Sequence, residues 1–366
     1  MRFSYSLHKN YLQMKSTINR RNFIGAGLAA AATVTTGTAF GSEPVKSGVP
    51  VRGNDLLPFN PVTYSSMPTH AFGKTGYKVG ILSLGGQATL EIAGREKESE
   101  EIINRAIDLG INYTDTAASY GRGVSLLNIG RVMKTRRNEV WLSTKTHDRT
   151  YDGSMRLLEE SLKNLQTDYL DTWQLHNVQR QDQVDQIFAD DGAIKALEKA
   201  KSEGIVRHVG ITGHYEPIVL LEAIKRYPFD SLLLALNAAD VHYLSFKNYL
   251  LPEAQKRGIA TIGMKVTTRG RMLSCWTPPP LEEQKDARLR TPLSGTISIK
   301  EALTYNMSLP VSTTIIGIDS IQQLEENVKI ASEFSPLTNE ELAAIEFKTL
   351  PIVRQGLYFR RWDIGV

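Results

Sequence analysis

The sequence has little of the chemistry that thiols and clustered histidines provide. Cys275 is the one cysteine among 366 residues, so an intramolecular disulfide and an iron–sulfur cluster held by several thiolates are excluded. The seven histidines show no His-x-x-x-His spacing, the arrangement that places two imidazoles on one face of a helix. The sequence therefore predicts no metal site.

Long hydrophobic runs are also missing. The run 25–40 is short and weakly apolar for a helix that crosses the ~30 Å apolar core of a bilayer, and no second stretch is long enough. Hydrophobic residues make up 41% of the chain and charged residues 22%, which is the balance of an ordinary globular protein. The length allows one large α/β domain or two smaller domains.

Acidic residues are absent from the first 41 positions, which contain five basic residues. The rest of the chain carries 38 basic and 39 acidic side chains, so the formal net charge of +4 belongs to the N-terminal segment. A body that is close to neutral offers no electrostatic reason to bind nucleic acid. We therefore expect no nucleic-acid partner.

The N-terminal segment predicts export. Arg20 and Arg21 form a twin-arginine pattern before a moderately hydrophobic run rich in Ala, Gly and Thr, Gly25–Phe40. We interpret residues 1–41 as a twin-arginine signal that the export machinery reads, with Met14 as an alternative start. The mature protein is then expected in the periplasm or outside the cell, without a stable membrane span. The alternative is an uncleaved leader that anchors the protein to the membrane.

A linker and one barrel domain are predicted after the signal. Residues 42–70 are rich in Pro, Ser and Gly and predict the linker, and residues 71–366 form the domain. The segment Phe72–Tyr77 is typical of a hairpin turn. Apolar runs of strand type then alternate with amphipathic helical runs such as 98–109 and 154–165. The strand runs cover residues 79–84, 111–115, 139–145, 169–176, 205–211, 231–237, 259–265 and 312–317.

Eight strands with intervening helices predict an α/β fold, the closed (β/α)8 TIM barrel, with an N-terminal β-hairpin and a C-terminal extension of helix and tail. A doubly wound open sheet is the alternative. Polar residues that end three successive strands favour the barrel, because the carboxyl ends of all its strands converge on one face. We expect the irregular residues 270–296 and the tail Tyr358–Trp362 to fold over that face.

Four polar residues carry the chemical signal. Asp115 and Tyr120 come at and after the second barrel strand, Lys145 ends the third strand, and His176 ends the fourth. A phenol can donate a proton, an ammonium lowers the pKa of that phenol, a carboxylate holds the ammonium, and an imidazole orients a carbonyl. Beside a hydride donor, this set would reduce a carbonyl by general acid catalysis.

The order and spacing of the four residues resemble the aldo-keto reductase family, from about Phe72 to about Asn327. The resemblance implies a barrel oxidoreductase that binds NAD or NADP, partly through the segment Thr313–Asn327. The catalytic residues that it implies are Asp115, Tyr120, Lys145 and His176. The cofactor-binding residues that it implies are Thr212, Lys265, Gly317, Asp319, Ser320, Gln323, Glu326 and Asn327.

The cofactor segment departs from the family pattern. The family commonly binds a 2′-phosphate through Lys or Arg there, but residues 317–327 contain neither. Asp319 would repel that phosphate and would accept a hydrogen bond from a ribose hydroxyl. We therefore expect NAD to be favoured over NADP, unless Arg269 or Arg271 neutralises the phosphate.

The residues expected around the nicotinamide also differ from the family pattern. The family's Ser-Asn pair at the fifth strand appears here as Thr212 followed by Gly213 and His214. The usual glutamine of the sixth strand appears as Leu233, and the stacking aromatic of the seventh as Lys265. The sequence thus indicates a divergent branch of the family.

These observations predict an exported oxidoreductase that transfers a hydride between a bound nicotinamide dinucleotide and a small carbonyl, alcohol or sugar substrate. Two alternatives stay open. One is a non-catalytic nucleotide-binding sensor or subunit. The other is a redox-neutral enzyme that keeps its cofactor bound while it oxidises and then re-reduces a sugar.

Overall fold

The structure is a computed structural model that describes residues 56–284 and 290–362. The predicted export signal, residues 1–41, lies outside the described residues. Within the described ranges, no helix has the length and apolar character needed to cross a bilayer. In the same part of the chain, no group of three or more His, Cys, Asp or Glu side chains is arranged to hold a metal ion.

Ten strands within residues 56–284 and 290–362 form a two-stranded hairpin and a closed barrel. In the barrel each strand pairs in parallel with the next one along the chain, and the last returns to the first. The prediction of a (β/α)8 barrel is confirmed, and the open sheet is excluded. The strands are β1 (Thr69–Ala71), β2 (Lys78–Gly80), β3 (Leu82–Ala88), β4 (Tyr113–Asp115), β5 (Trp141–Thr146), β6 (Leu170–Leu175), β7 (Val206–Gly213), β8 (Ser231–Ala235), β9 (Ala260–Met264) and β10 (Thr313–Ile318).

Amphipathic helices cover the outside of the barrel, and several of them begin at a residue whose hydroxyl accepts a backbone hydrogen bond. Thr150, Ser298 and Ser320 each accept one from the N–H three residues later. The described helices are α1 (Thr63–Ser66), α2 (Glu96–Asp108), α3 (Val124–Arg136), α4 (Tyr151–Leu165), α5 (Gln181–Ile187), α6 (Ala193–Ser202), α7 (Pro217–Arg226), α8 (Phe246–Tyr249), α9 (Leu251–Arg257), α10 (Ile299–Ser308), α11 (Ile321–Ser332), α12 (Asn339–Thr349) and α13 (Val353–Gly356).

The barrel interior is a packed apolar cluster. Strand residues such as Tyr113, Trp141 and Ile262 are buried there together. The ring of Trp141 also packs on Phe72 and Tyr77 from the hairpin segment, with centroids 5.1 and 4.7 Å apart. The hairpin therefore closes the amino-terminal end of the barrel and leaves the carboxyl-terminal end for chemistry.

The predicted first strand, residues 79–84, is wrong in its boundaries. Residues 79–80 belong to β2 of the hairpin, and the barrel strand begins at Leu82. The chain changes partners at Ile81, whose N–H donates to the carbonyl of Pro68 while its carbonyl accepts from Thr314. An unbroken apolar run hides this change, because both strands are buried.

The predicted linker, residues 42–70, ends inside the fold. In its described part, Asn60 and Met67 are buried. The side-chain amide of Asn60 donates to the carbonyl of Ile107, 2.8 Å away, and Thr69 begins β1. The linker interpretation is therefore wrong for residues 60–70, because Asn60 is hydrogen-bonded to α2 and Thr69 pairs in the hairpin.

The C-terminal extension reaches the other end of the barrel. Phe359 packs against the interior cluster, and its ring lies edge-on to His214 at 5.9 Å. The described part of the insertion 270–296 contains turns and no helix or strand. The amide of Gln355 in α13 donates to the carbonyl of Arg271 at 2.6 Å, which joins the insertion to the extension.

Candidate active site

Strand alternation brings the predicted polar residues to one end of the barrel. Lys145 lies two residues after Ser143 and four after Trp141 in β5, so all three side chains point to the same side of the strand. Asp115 stands opposite Ser143 in the register, and Lys145 stands opposite Gln174. His176 lies two positions after Gln174 and directly after Leu175, the last residue of β6. The three residues therefore meet at the carboxyl-terminal mouth.

Lys145 connects three groups at the bottom of this mouth. Its ammonium donates to the carboxylate of Asp115, to the carbonyl of Thr116 at 2.6 Å and to the hydroxyl of Tyr120 at 3.4 Å. Lys145 and Asp115 are both buried. The three protons of the ammonium thus have three acceptors, which is the full complement for a lysine.

Burial and mutual attraction act against each other in the pair of Asp115 and Lys145. Burial raises the pKa of Asp115 and lowers that of Lys145, while the contact between them acts in the opposite direction on both groups. Removing either partner would leave the other as a buried charge without compensation.

Tyr120 stands in a tight turn after β4. Gly121 has φ of +57°, and a Cβ there would lie 2.1 Å from the carbonyl oxygen of Glu91, so only glycine fits this close approach. The lowering of the pKa of Tyr120 by the ammonium of Lys145 stays a prediction, because larger effects act against it. Burial raises the pKa of Tyr120 well above its ordinary value, and the nearby carboxylates of Asp115 and Glu91 raise it further. The phenol is therefore a protonated donor at neutral pH.

His176 faces the phenol. The two rings are nearly perpendicular, with centroids 5.7 Å apart. The hydroxyl of Ser119 lies 3.4 Å from Nδ1 of His176. Burial lowers the pKa of His176 well below its ordinary value, and Lys145 and other cations lower it further. The imidazole is therefore neutral and can donate one hydrogen bond to a substrate oxygen.

A second polar group, which the sequence analysis did not assemble, lies beside His176. Asn177 has φ of +50°, its N–H donates to the hydroxyl of Thr212 at 2.7 Å, and its side-chain oxygen lies 2.8 Å from Nδ1 of His214. Burial, followed by Lys265, lowers the pKa of His214 well below its ordinary value. Asn177 was missed, although its position directly after a strand-ending histidine was a usable signal.

Lys265 follows β9 and reaches the same mouth. Its backbone is left-handed, with φ of +63°, and its ammonium donates to the side chain of Gln87 at 3.1 Å. Gln87 in turn donates to Glu91 at 3.3 Å. Burial lowers the pKa of Lys265 to about 8, and the neighbouring charges of Arg269 and Lys145 contribute. Gln87 was also missed, although it shares the inward alternation of β3.

The segment from Gly317 lies at the end of β10 and the start of α11. Asp319 is exposed, and its backbone N–H donates to the side-chain oxygen of Gln323 at 3.0 Å. Ser320 accepts a hydrogen bond from the N–H of Gln323 at 3.3 Å. Glu326 is exposed one turn further on, and Asn327 is buried. These residues form one face at the N-terminus of the helix.

Leu233 and the two arginines of the β9 loop have different surroundings. Leu233 is buried in the barrel interior. Arg269 is exposed, with φ of +57°, whereas the guanidinium of Arg271 lies over the ring of Tyr358 at 5.3 Å. Among the described residues, no cation forms an ion pair with Asp319.

Comparison with known proteins agrees with this geometry. The L-galactose dehydrogenase of Arabidopsis thaliana is 28% identical over 307 residues, which cover 77% of this chain and 94% of that protein. The oxidoreductase YqkF of Bacillus subtilis is 27% identical over 305 residues, covering 75% of this chain and 93% of that protein. Among solved structures, the holo form of the aldo-keto reductase AKR11C1 from Bacillus halodurans matches with a TM-score of 0.62 and 28% identity, covering 77% of this chain and 96% of that one.

The sequence model of the Aldo/keto reductase family matches residues 79–349, which include every strand of the barrel and all four residues of the predicted tetrad. That match extends over well more than half of the chain. Since the closed barrel and the site at its carboxyl-terminal mouth agree with it, this chain belongs to the aldo/keto reductase family.

Proposed function

We propose that the protein transfers a hydride between a bound nicotinamide dinucleotide and a carbonyl or alcohol carbon, with Tyr120 as the general acid and base. The observation that carries this proposal is the set of contacts made by Lys145. One buried ammonium touches both the carboxylate of Asp115 and the hydroxyl of Tyr120. A purely structural ion pair has no need of the phenol, whereas a proton donor needs a cation beside the phenolate that it leaves.

Each residue of the tetrad then has a chemical task. In the direction of reduction, Tyr120 gives its proton to the substrate oxygen, and Lys145 stabilises the phenolate that remains. Asp115 keeps the ammonium in place. His176, neutral because it is buried among cations, donates a hydrogen bond to the same substrate oxygen. In the direction of oxidation, the phenolate of Tyr120 takes the proton back.

Cationic side chains and a helix N-terminus at the barrel mouth support the binding of a dinucleotide. Lys265 and Arg269 are neighbouring cations. The N-terminus of α11 offers backbone N–H groups, which suit a pyrophosphate. Ser320, Gln323 and Asn327 are spaced by three and four residues along one helical face and would hold the adenosine half. The bound nicotinamide supplies or accepts the hydride. Thr212 lies near the end of β7, and its hydroxyl accepts a hydrogen bond from the N–H of Asn177.

We further propose a preference for NAD over NADP. Asp319 is exposed at the start of α11, and no cation of the described chain is paired with it. Arg271 stacks on Tyr358 instead. A 2′-phosphate beside this carboxylate would meet repulsion that a ribose hydroxyl does not meet.

For location and partners, we propose export through the twin-arginine machinery to the periplasm and a small carbonyl or sugar substrate. The support is Arg20 and Arg21 before a weakly apolar run without acidic residues.

The experiment that tests the function compares Tyr120→Phe with the wild type on a panel of aldehydes and ketones, with NADH and NADPH. Turnover should fall roughly a hundredfold or more, the usual scale for a positioned general acid, while dinucleotide affinity stays within about twofold of the wild type, a difference of under half a kcal/mol. Tyr64→Phe, at an exposed tyrosine on α1, is the matched control and should be silent. Full turnover by Tyr120→Phe would overturn the proposed mechanism.

A further inference from the structure

Arg149 reaches beneath the end of β6 from the loop between β5 and α4. Its Nη2 donates to the carbonyl of His176 at 2.7 Å and to the carbonyl of Asn177 at 3.3 Å. The backbone of the loop is itself held, since the carbonyl of Arg149 accepts from the N–H of Ala193 at 2.8 Å. The guanidinium is thus a fixed group, tied to a second element, that grips two successive carbonyls at the mouth.

The backbone at those carbonyls has left the sheet. The N–H of His176 still donates to Thr146 in β5, at 2.8 Å, but Asn177 adopts φ of +50°. Asparagine adopts this left-handed conformation more readily than other non-glycine residues, and here the hydroxyl of Thr212 and the ring of His214 hold Asn177 in place. Beyond the last ladder bond, carbonyls need other donors when they are shielded from water. Arg149 provides those donors.

We propose that Arg149 is a positioning residue for the reaction: its guanidinium fixes the turn at His176 and Asn177, so that the imidazole of His176 faces Tyr120 and the amide of Asn177 faces His214. Its part in turnover rests on the proposed function of His176, but its effect on the two histidines does not. In this proposal Arg149 acts through His176 and does not itself contact the substrate.

Charge gives this arrangement a measurable signature. His176 faces Lys145 and His147 on β5 and its loop, Arg149 on the same loop, Lys265 after β9, and the phenol of Tyr120. Burial has the largest effect on the pKa of His176. The four basic side chains, Lys145, His147, Arg149 and Lys265, lower that pKa further. For His214, after burial, the lowering comes chiefly from Lys265, His176 and Arg360. Removal of Arg149 should therefore raise the pKa of His176 more than that of His214.

Arginine suits this position better than lysine. Its planar guanidinium presents several N–H groups in a rigid fork, and one Nη nitrogen here serves two carbonyls. Burial lowers the pKa of Arg149 to about 10, so the group stays charged at neutral pH. A lysine would keep the charge but would lose the fixed direction of the donors.

The test is an NMR titration of His176 and His214 in Arg149→Gln and in the matched control Arg156→Gln. Arg156 is an exposed arginine on α4, the helix that begins right after the same loop. In Arg149→Gln, His176 should titrate at a higher pH than in the wild type, and the shift of His214 should be smaller. Arg156→Gln should leave both histidines unchanged. Equal shifts of the two histidines, or no shift of His176 in a folded variant, would overturn the proposal.

Kinetics and a second variant separate positioning from folding. Arg149→Lys should keep the titration of His176 low, because the charge remains, yet lose about tenfold in kcat, because small errors in alignment are costly. Dinucleotide affinity should be unchanged in both variants. If Arg149→Gln does not fold, the kcat of Arg149→Lys becomes the deciding measurement. A kcat equal to that of the wild type would contradict the proposal. A wild type without turnover would sink the proposed function alone. The positioning would then be read from the NMR chemical shifts of the His176 ring in Arg149→Lys, and shifts identical to those of the wild type would overturn it.

Discussion

Arg360 and Asp240 form an ion pair whose two side chains are completely enclosed by protein. The guanidinium also donates to the carbonyl of His214 at 2.7 Å and to that of Ala235 at 3.0 Å. Asp240 accepts in addition from the hydroxyl of Ser245 at 2.7 Å. The pair therefore ties the C-terminal tail to the ends of β7 and β8, next to the candidate site.

We expect Arg360→Met to lower the free energy of unfolding by roughly 3–5 kcal/mol, because it leaves the Asp240 carboxylate buried without its partner. Chemical denaturation measures this change. The control is Arg131→Met, which removes an exposed ion pair with Glu100 and should cost less than about 1 kcal/mol. Equal losses in the free energy of unfolding for the two variants would mean that the buried pair stabilises the fold no more than the exposed pair does.

Lys265 makes dinucleotide binding depend on pH. Burial, with help from Arg269 and Lys145, lowers its pKa to about 8, so the free protein loses this positive charge as pH rises through that value. An anionic pyrophosphate prefers the protonated form, and the Kd for NADH should therefore increase above pH 8 and stay flat below it. Lys265→Met should flatten the profile, and Lys265→Arg should keep tight binding at high pH. A profile that is identical in wild type and Lys265→Met would remove Lys265 from the cofactor site.

Asp319 should make NADH bind more tightly than NADPH. Repulsion between its carboxylate and a 2′-phosphate costs on the order of 1 kcal/mol, which is about a fivefold difference in Kd. Tryptophan fluorescence titrations with both dinucleotides measure the ratio. Asp319→Arg should move the preference toward NADPH, while Glu333→Arg, at the far end of α11, should not. Tighter binding of NADPH by the wild type would point instead to Arg269 or Arg271.

The paired change Arg20→Lys and Arg21→Lys should keep the full-length precursor in the cytoplasm of an expressing bacterium. The physical reason is that a receptor reads the guanidinium pair itself, and lysine has no such planar fork. Cell fractionation and immunoblotting measure the distribution. Arg2→Lys, which makes the same chemical change outside the motif, should export normally. An unaltered distribution of the double variant would falsify the twin-arginine assignment.

Local pattern was enough to predict the barrel and to place Asp115, Tyr120, Lys145 and His176. Each of the eight strand runs is an apolar segment of a few residues, and each polar residue at its end must face water or a partner. Parallel order then follows from the helices between the strands, and the closure of the sheet collects those ends on one face. The boundaries were less accurate where burial was continuous, as at Ile81.

Contacts between distant elements were decided only by the tertiary structure. Lys265 and Gln87 are 178 positions apart, and Arg360 and Asp240 are 120 apart. Such pairs form because barrel closure brings the ends of β3 and β9, or the tail and β8, within reach, and no periodicity in the sequence records which side chains will meet there. The surroundings that set the pKa of Tyr120 are likewise decided by the tertiary structure. The residue types predicted an ammonium beside the phenol, but only the tertiary structure shows the burial and the neighbouring carboxylates of Asp115 and Glu91 that raise its pKa.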